Sequence, residues 1–359
     1  MQNFNRRVIR NLISRAQTRN EAPPQVRVLR DRDRIPMDLL SFVRSHQNRI
    51  VYLVASAFTA RRARVFIVGH INLLPLAAFV RCLHWKTPIL LFVHGDEVWN
   101  EPGRRQKRWY DRLFLRAVDR IASVSCYTAE IMSREFRVHP EKFSILPNAV
   151  DLIERPTNAA QKDGLVVLTV SRLSLGDRPK NVDQMLRAIA ILTRKLPNVR
   201  YEIVGDGALR GELERLAQEL GITGNVAFLG RLSEAELSQA YERASVFAMP
   251  SSKEGFGIVY LEAWLRFLPV LCSSFGASKE VVSNGSDGFV VDHREPEAVA
   301  NLLYELLTDS RLARRFGENG RAKVESKYLN NSFRANLDVI IDEVLSQGDE
   351  YRSAVKSTS

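Results

Sequence analysis

The chain has 359 residues, of which 45% are apolar and 8% aromatic, and it carries a net charge of +11. That length exceeds one ordinary core, so two globular domains are expected. Three scattered cysteines, Cys82, Cys126 and Cys272, form no CxxC, which argues against a disulfide framework or a cysteine metal site and reads as reduced thiols of a cytosolic protein.

The six histidines show no HxxxH or HExxH pattern. The apolar run Leu73 to Val80 is too short to span a bilayer. No apolar stretch of the kind a signal peptide needs follows the basic N-terminus. The charge is uneven. Residues 1–150 hold 26 Lys and Arg against 12 Asp and Glu, or +14, whereas the remainder holds 26 against 29, or −3. The basic part implies anionic partners: phosphate groups, an acidic membrane surface or nucleic acid. A solubilising arginine-rich surface explains the same excess.

The opening MQNFNRRVIRNLISRA predicts an amphipathic helix. Phe4, Val8, Leu12 and Ala16 form one stripe with Ile9 and Ile13 beside it, and Arg6, Arg7, Arg10 and Arg15 fall mostly off it. EAPP and a short strand, Gln25 to Leu29, follow. Helical stretches are predicted around Met37 to His46 and Ile50 to Ala60. RVFIVGH, PILLFVHG, RIASVSC and FSILPNAV read as buried parallel strands separated by helical segments. DLIERPTNAAQKDG, Asp151 to Gly164, is polar and aperiodic and reads as an interdomain linker. A second rhythm then begins. Strands LVVLTVSR, YEIVGDG, VAFLG and VFAMPS alternate with helices Val182 to Leu196, Leu209 to Leu220, Glu234 to Arg243 and Phe256 to Phe267. PVLCSS and GFVV are further strands, helices run to Gln347, and the tail YRSAVKSTS frays. This is an α/β chain of two doubly wound, Rossmann-like domains facing across a cleft. The expected divisions are 1–155, 156–328 and a C-terminal helix and tail, 329–359, packing back on the first domain.

Three segments carry chemistry. In SSKEGFGIVYLEAW, Glu254 and Glu262 stand eight apart around a helix start near Gly257. Gly255 and Gly257 let a ligand approach the backbone. The helix terminus offers N–H groups to an anion, and the carboxylates can accept hydrogen bonds from sugar hydroxyls. The plainer alternative is an acidic residue at a helix start and a solvated glutamate. In VSRLSLGDRPKN, Arg172 and Lys180 can converge on one diphosphate, or can be two solvated cations. In YEIVGDGALRGEL, Gly205, Gly207 and Gly211 lie between a strand and a helix, which fits a dinucleotide site and an ordinary tight turn equally well.

In order, these pieces resemble the retaining glycosyltransferases of family 4, with the GT-B architecture. VSRL with a downstream KN, VGDG, LGRLS, EGFGIVYLEA with its E-x7-E spacing, and GASKEVVSNGSDGFVV resemble the donor half. FVHGDE, VSCYTAE and LPNAVD resemble the other half more loosely. The resemblance covers roughly residues 64–330.

The resemblance implies roles. Arg172 and Lys180 would hold the donor diphosphate, and Glu262 the ribose hydroxyls. Glu254 would contact the donor sugar, with Gly255, Phe256, Gly257 and Ile258 presenting backbone to sugar and phosphate. Gly205 and Gly207 would line the donor site, and Arg231 and Leu232 would lie against the base. His94 would sit beneath the transferred sugar, with Asp96 and Glu97 as weaker candidates for acceptor contact. Neither a metal nor a cofactor is implied. The donor would be a UDP- or GDP-linked sugar, and the acceptor a glycan or lipid-linked glycan in cell-surface polysaccharide assembly. The setting would be cytoplasmic, at the inner face of the membrane, with the basic domain in peripheral contact with anionic lipid. Nucleic-acid binding rests on charge alone, with no aromatic-basic interleaving, and is not expected.

Two departures matter. Phe267 in LRFLPVL stands where similar sequences often carry a small residue, and altered local packing is expected there. The strand and glycine-rich loop that open similar proteins are not found before QNFNRRVIRNL. A shortened form is expected, against a short variant whose first helix lies on a membrane. The alternatives for function are a nucleotide-binding but inactive or partner-dependent form, and a sugar-nucleotide epimerase on the same architecture.

Overall fold

A computed structural model describes residues 2–30, 35–100, 105–154 and 164–356. The chain forms two compact units. Unit one comprises Met1–Val124, Thr128–Leu146 and Phe333–Ser359; unit two comprises Ser125–Tyr127 and Pro147–Ser332. Part of the expected linker, residues 155–163, lies outside the described residues.

The elements up to residue 146 are α1 (Gln2–Arg19), β1 (Val26–Leu29), β2 (Val43–His46), α2 (Arg49–Ala60), β3 (Phe66–Val68), α3 (Leu74–Leu83), β4 (Ile89–Val93), α4 (Asp111–Phe114), β5 (Arg120–Ser123), α5 (Cys126–Phe136) and β6 (Phe143–Ile145). Strands β1 and β2 pair in parallel as a small sheet, and β3-β4-β5-β6 form a second parallel sheet. Val43 to His46 is therefore a strand, not the end of a predicted helix, and only Met37–Leu39 makes a single 3-10 turn. A ten-residue window does not separate the two periods, and the pairing of Val26 with Val43 decides the matter.

The α1 stripe faces inward. Phe4, Val8 and Ala16 are buried, and the Phe4 ring packs edge-on against Phe92 of β4 and Phe333 at 5.5 and 5.4 Å. This corrects the membrane-surface alternative for α1, because its apolar face is already occupied inside the unit. Arg15 departs from the pattern as well. Its buried guanidinium reaches Asp338 at 3.1 Å and Asp342 at 2.5 Å, which ties the first helix to the last.

The second unit continues with β7 (Val166–Val170), α6 (Val182–Leu192), β8 (Arg200–Val204), α7 (Arg210–Glu219), β9 (Val226–Gly230), α8 (Glu234–Arg243), β10 (Val246–Met249), α9 (Ile258–Trp264), β11 (Val270–Ser273), α10 (Ser278–Val281), β12 (Gly288–Val291), α11 (Pro296–Thr308) and α12 (Ser310–Lys327). The last helix is α13 (Asn330–Lys356), which from Phe333 onward counts with the first unit. The sheet order is β12-β11-β10-β7-β8-β9, all parallel. The central strands are covered on both faces, which is why VVLTV, VFAM and VLCS are almost continuously apolar. Val167, Ile203 and Leu271 meet Met185, Ile189, Leu303 and Phe316 in one core.

Candidate functional site

In the six-stranded sheet the strand order changes direction between β7 and β10. Connections that leave their carboxyl ends diverge there and open a crevice, the usual ligand position in sheets of this type. Arg172 and Lys180 follow β7, and Glu254, Gly255, Phe256 and Gly257 follow β10. Gly205 and Gly207 follow β8, Arg231 and Leu232 follow β9, and Ile258 and Glu262 lie on α9. The topology thus brings every donor-side residue singled out in sequence to one end of one sheet.

Close backbone packing holds these loops. Gly205 has φ 130°, and a Cβ there would lie 1.8 Å from the Ser171 carbonyl oxygen. At Gly207 a Cβ would lie 2.4 Å from the Leu173 carbonyl. Leu209 donates its N–H to the Leu173 carbonyl at 2.8 Å. On the other side, the Pro179 carbonyl accepts the Ser252 N–H at 2.8 Å, and the Asn181 amide donates to the Pro250 carbonyl at 2.7 Å. Asn181 adopts the left-handed region, φ 57°, and turns the chain from the 3-10 segment Leu175–Lys180 into α6.

These ties place the Lys180 ammonium against the Glu254 carboxylate, both largely shielded from water. The exposed Arg172 guanidinium reaches Asp177 Oδ1 at 3.1 Å. Asp177 is fully buried and also accepts the Ser174 hydroxyl. The two expected diphosphate cations are therefore held by separate carboxylates.

Helix α9 starts at Gly257, φ 91°, where a Cβ would collide with the Tyr260 ring at 2.3 Å. The Phe256 ring is buried against Tyr328, 5.7 Å between centroids, which leaves its main chain as the part available to a ligand. Glu262 accepts the Tyr241 hydroxyl at 2.9 Å. Burial pushes the Glu262 carboxyl above its ordinary range, opposed by that hydrogen bond and by Arg266. Exposed Arg231 and half-buried Leu232 precede a capping box at the start of α8, where Ser233 and Glu236 exchange hydrogen bonds at 2.8 and 3.3 Å.

His94 belongs to the first unit, directly after β4. Its ring stands edge-on to Phe4 at 4.7 Å, and its Nε2 is buried with no hydrogen-bond partner among the described residues. Burial lowers its pKa to about 4, against a hydrogen bond with the Gly69 backbone, so the ring is neutral at pH 7. The buried Glu97 side chain accepts the His94 N–H at 2.5 Å and so shapes this loop.

Sequence reasoning missed Asp177 and Tyr241. Asp177 stood in a turn-rich loop, five residues from Arg172, and that spacing was a usable signal. Tyr241 lies 21 residues before Glu262 on another helix, and no local pattern links them.

The family model for glycosyltransferase family 4 matches residues 8–154, and that for glycosyl transferases group 1 matches residues 151–323. A GDP-mannose-dependent alpha-(1-6)-phosphatidylinositol monomannoside mannosyltransferase of Mycobacterium tuberculosis is 31% identical over 270 residues, covering 69% of this chain and 68% of that one. The chain belongs to glycosyltransferase family 4. A GDP-mannose-dependent monoacylated alpha-(1-6)-phosphatidylinositol monomannoside mannosyltransferase of Corynebacterium glutamicum is 32% identical over 261 residues, covering 67% of this chain and 66% of that one. The chain thus spans about two thirds of the length of these curated relatives. Anabaena HepE in complex with UDP-glucose superposes with a TM-score of 0.71 at 19% identity, over 94% of this chain and 96% of that one. The fold is the GT-B architecture of family 4. Within this family 4 chain the group 1 match contains every candidate residue from Arg172 to Glu262, and the other match contains His94.

Proposed function

We propose that this chain transfers a hexosyl group from a UDP- or GDP-linked sugar to a glycan or lipid-linked glycan, with retention at the anomeric carbon and without a bound metal. The observation that carries the reading is the Lys180–Glu254 pair at the point where the strand order reverses, with Arg172 on the loop that leads to it. A cation beside a sugar-binding carboxylate suits a diphosphate attached to a hexose. Lys180 and Arg172 stabilise the charge that develops on the leaving diphosphate, a contribution that grows toward the transition state. Glu262, held by Tyr241, accepts hydrogen bonds from the ribose. His94 serves as a sugar contact, and its neutral ring suits a hydroxyl partner better than an imidazolium would.

The names of similar proteins support a nucleotide-sugar donor. Two curated relatives are named as GDP-mannose-dependent, and HepE is described with UDP-glucose. The same reading puts the protein at the inner face of a membrane, where a lipid-linked acceptor is presented. Calorimetric titration of the purified chain with UDP and with GDP tests the donor half. Binding of one supports the reading and chooses the base. A folded chain that binds neither overturns it.

A further inference from the structure

Asp177 is a buried carboxylate on the 3-10 segment Leu175–Lys180, between Arg172 and Lys180 in the chain. Its Oδ1 accepts Arg172 Nη2 at 3.1 Å, and its Oδ2 accepts the Ser174 hydroxyl. Its N–H donates to the Ser174 carbonyl at 2.8 Å. Closing such a turn asks only for a hydrogen-bond acceptor, which a neutral amide oxygen also supplies. The rest of the segment is fastened elsewhere. The Arg178 guanidinium forks onto Glu212 at 2.7 and 2.6 Å. The Pro179 carbonyl accepts the Ser252 N–H at 2.8 Å and the Ser251 hydroxyl at 3.1 Å. Burying a carboxylate is costly unless a cation and hydrogen bonds offset it, so the turn by itself does not account for a charge at 177.

Both cations of the proposed donor site meet a carboxylate, and the two carboxylates differ. The Glu254 side chain is 16% exposed and the Asp177 side chain 0%. A charge without solvent contact is weakly screened, so its field on a nearby phosphate persists.

We propose that Asp177 is a positioning residue that holds Arg172 as an already neutralised cation, and thereby limits how tightly the site keeps the nucleoside diphosphate product. The inference rests on the proposed donor reading. Transfer forms a bond from the anomeric carbon to the acceptor oxygen and breaks the bond to the phosphate oxygen. The electron pair stays on the diphosphate, and the acceptor hydroxyl gives up its proton. In the donor the terminal phosphate is a diester. In the product it is a monoester, whose second ionisation at about pH 6 adds negative charge at pH 7. Repulsion from Asp177 therefore weighs more on the product than on the donor. The Arg172–Asp177 pair orients a phosphate while carrying no net charge, which favours release.

UDP and GDP are titrated calorimetrically into wild type and Asp177→Asn. Asparagine keeps an acceptor for Arg172 and Ser174 and removes the charge. The variant should bind the nucleotide about three- to tenfold more tightly at low salt. That gain should shrink at about 0.5 M salt, where exposed charges are screened. A merely structural role predicts the opposite sign. Ser174→Ala loosens the same turn and leaves the charge, so it should not tighten binding. Asp177→Ser, with the same expected gain, serves if the asparagine variant fails to fold by circular dichroism. Unchanged or weaker binding in a folded variant overturns the proposal and leaves the donor reading standing, as does a gain that ignores salt. Wild type that binds neither nucleotide overturns both.

Discussion

The Lys180 ammonium and the Glu254 carboxylate form an ion pair between two loops that are 74 residues apart in sequence. A diphosphate that reaches Lys180 must share this cation with Glu254. Lys180→Ala should weaken UDP or GDP binding about tenfold or more, the value of one hydrogen bond to a charged group. It should also lower kcat by about 100-fold, because the lost interaction strengthens toward the transition state. Lys180→Arg should rescue neither fully, since a planar fork does not fit a point-charge position. An unchanged nucleotide affinity in Lys180→Ala would remove this residue from the donor site.

The Glu262 carboxyl has a raised pKa, first because of burial. Its folded form therefore holds a proton more readily than its unfolded form. That group's contribution to stability falls as pH rises from its ordinary range through the raised value. Nucleotide affinity should move the other way, rising as Glu262 ionises and becomes a full acceptor for ribose hydroxyls. Tyr241→Phe removes the hydrogen bond that favours ionisation, so the affinity profile should shift to higher pH. Calorimetry from pH 4.5 to 8 on wild type and Tyr241→Phe checks the direction. A shift to lower pH would contradict the assignment.

Gly205→Ala should be severely destabilising. The new Cβ would overlap the Ser171 carbonyl oxygen, and φ 130° is itself unfavourable for alanine. A cost above about 2 kcal/mol is expected from strain and overpacking together. Gly211→Ala provides the control, since nothing lies within 4 Å of its added Cβ. Urea denaturation should separate the two variants clearly.

Asp342 has a lowered pKa; burial opposes the shift, and the hydrogen bonds from Arg15 and Arg19 outweigh it. For a depressed carboxylate the stabilisation is present above the unfolded pKa of about 3.9 and is lost as pH falls through the folded value. Asp342→Asn should therefore flatten part of the acid limb of the stability curve below about pH 4. Arg15→Ala should cost roughly 1–3 kcal/mol near pH 7, less than a fully buried pair because Asp342 remains partly solvated. Thermal melts between pH 3 and 7 measure both effects.

Phe267 has φ 58° and stacks on the Arg321 guanidinium at 5.3 Å, and its carbonyl oxygen would lie 2.1 Å from a Cβ on Gly317. The strain of a left-handed bulky residue and the value of a cation–π contact are each about 1 kcal/mol, so Phe267→Gly should change stability little. Gly317→Ala should be the damaging change at this contact. A large loss of nucleotide binding in Phe267→Gly, with fold intact, would tie the position to the site instead.

The sequence alone determined the strands, their parallel βαβ rhythm and the donor motifs. Val166–Val170, Val246–Met249 and Val270–Ser273 are short apolar runs because both faces of a central strand are buried, and that is a local property of composition. The glycines at 205, 207 and 257 were legible because each sits at a strand-to-helix turn where a side chain is sterically excluded. What the tertiary structure decided depended on partners far away in the chain. Val43–His46 became a strand because β1 supplies its hydrogen bonds, whereas its own residues are ambiguous. The apolar stripe of α1 is legible in sequence, but only the tertiary structure shows that Phe92 and Phe333 pack on its Phe4. The carboxylates that Lys180 and Arg172 meet, Glu254 and Asp177, are seen only in the tertiary structure. Side-chain pairing across loops follows from how the loops pack, and no spacing along the chain encodes it.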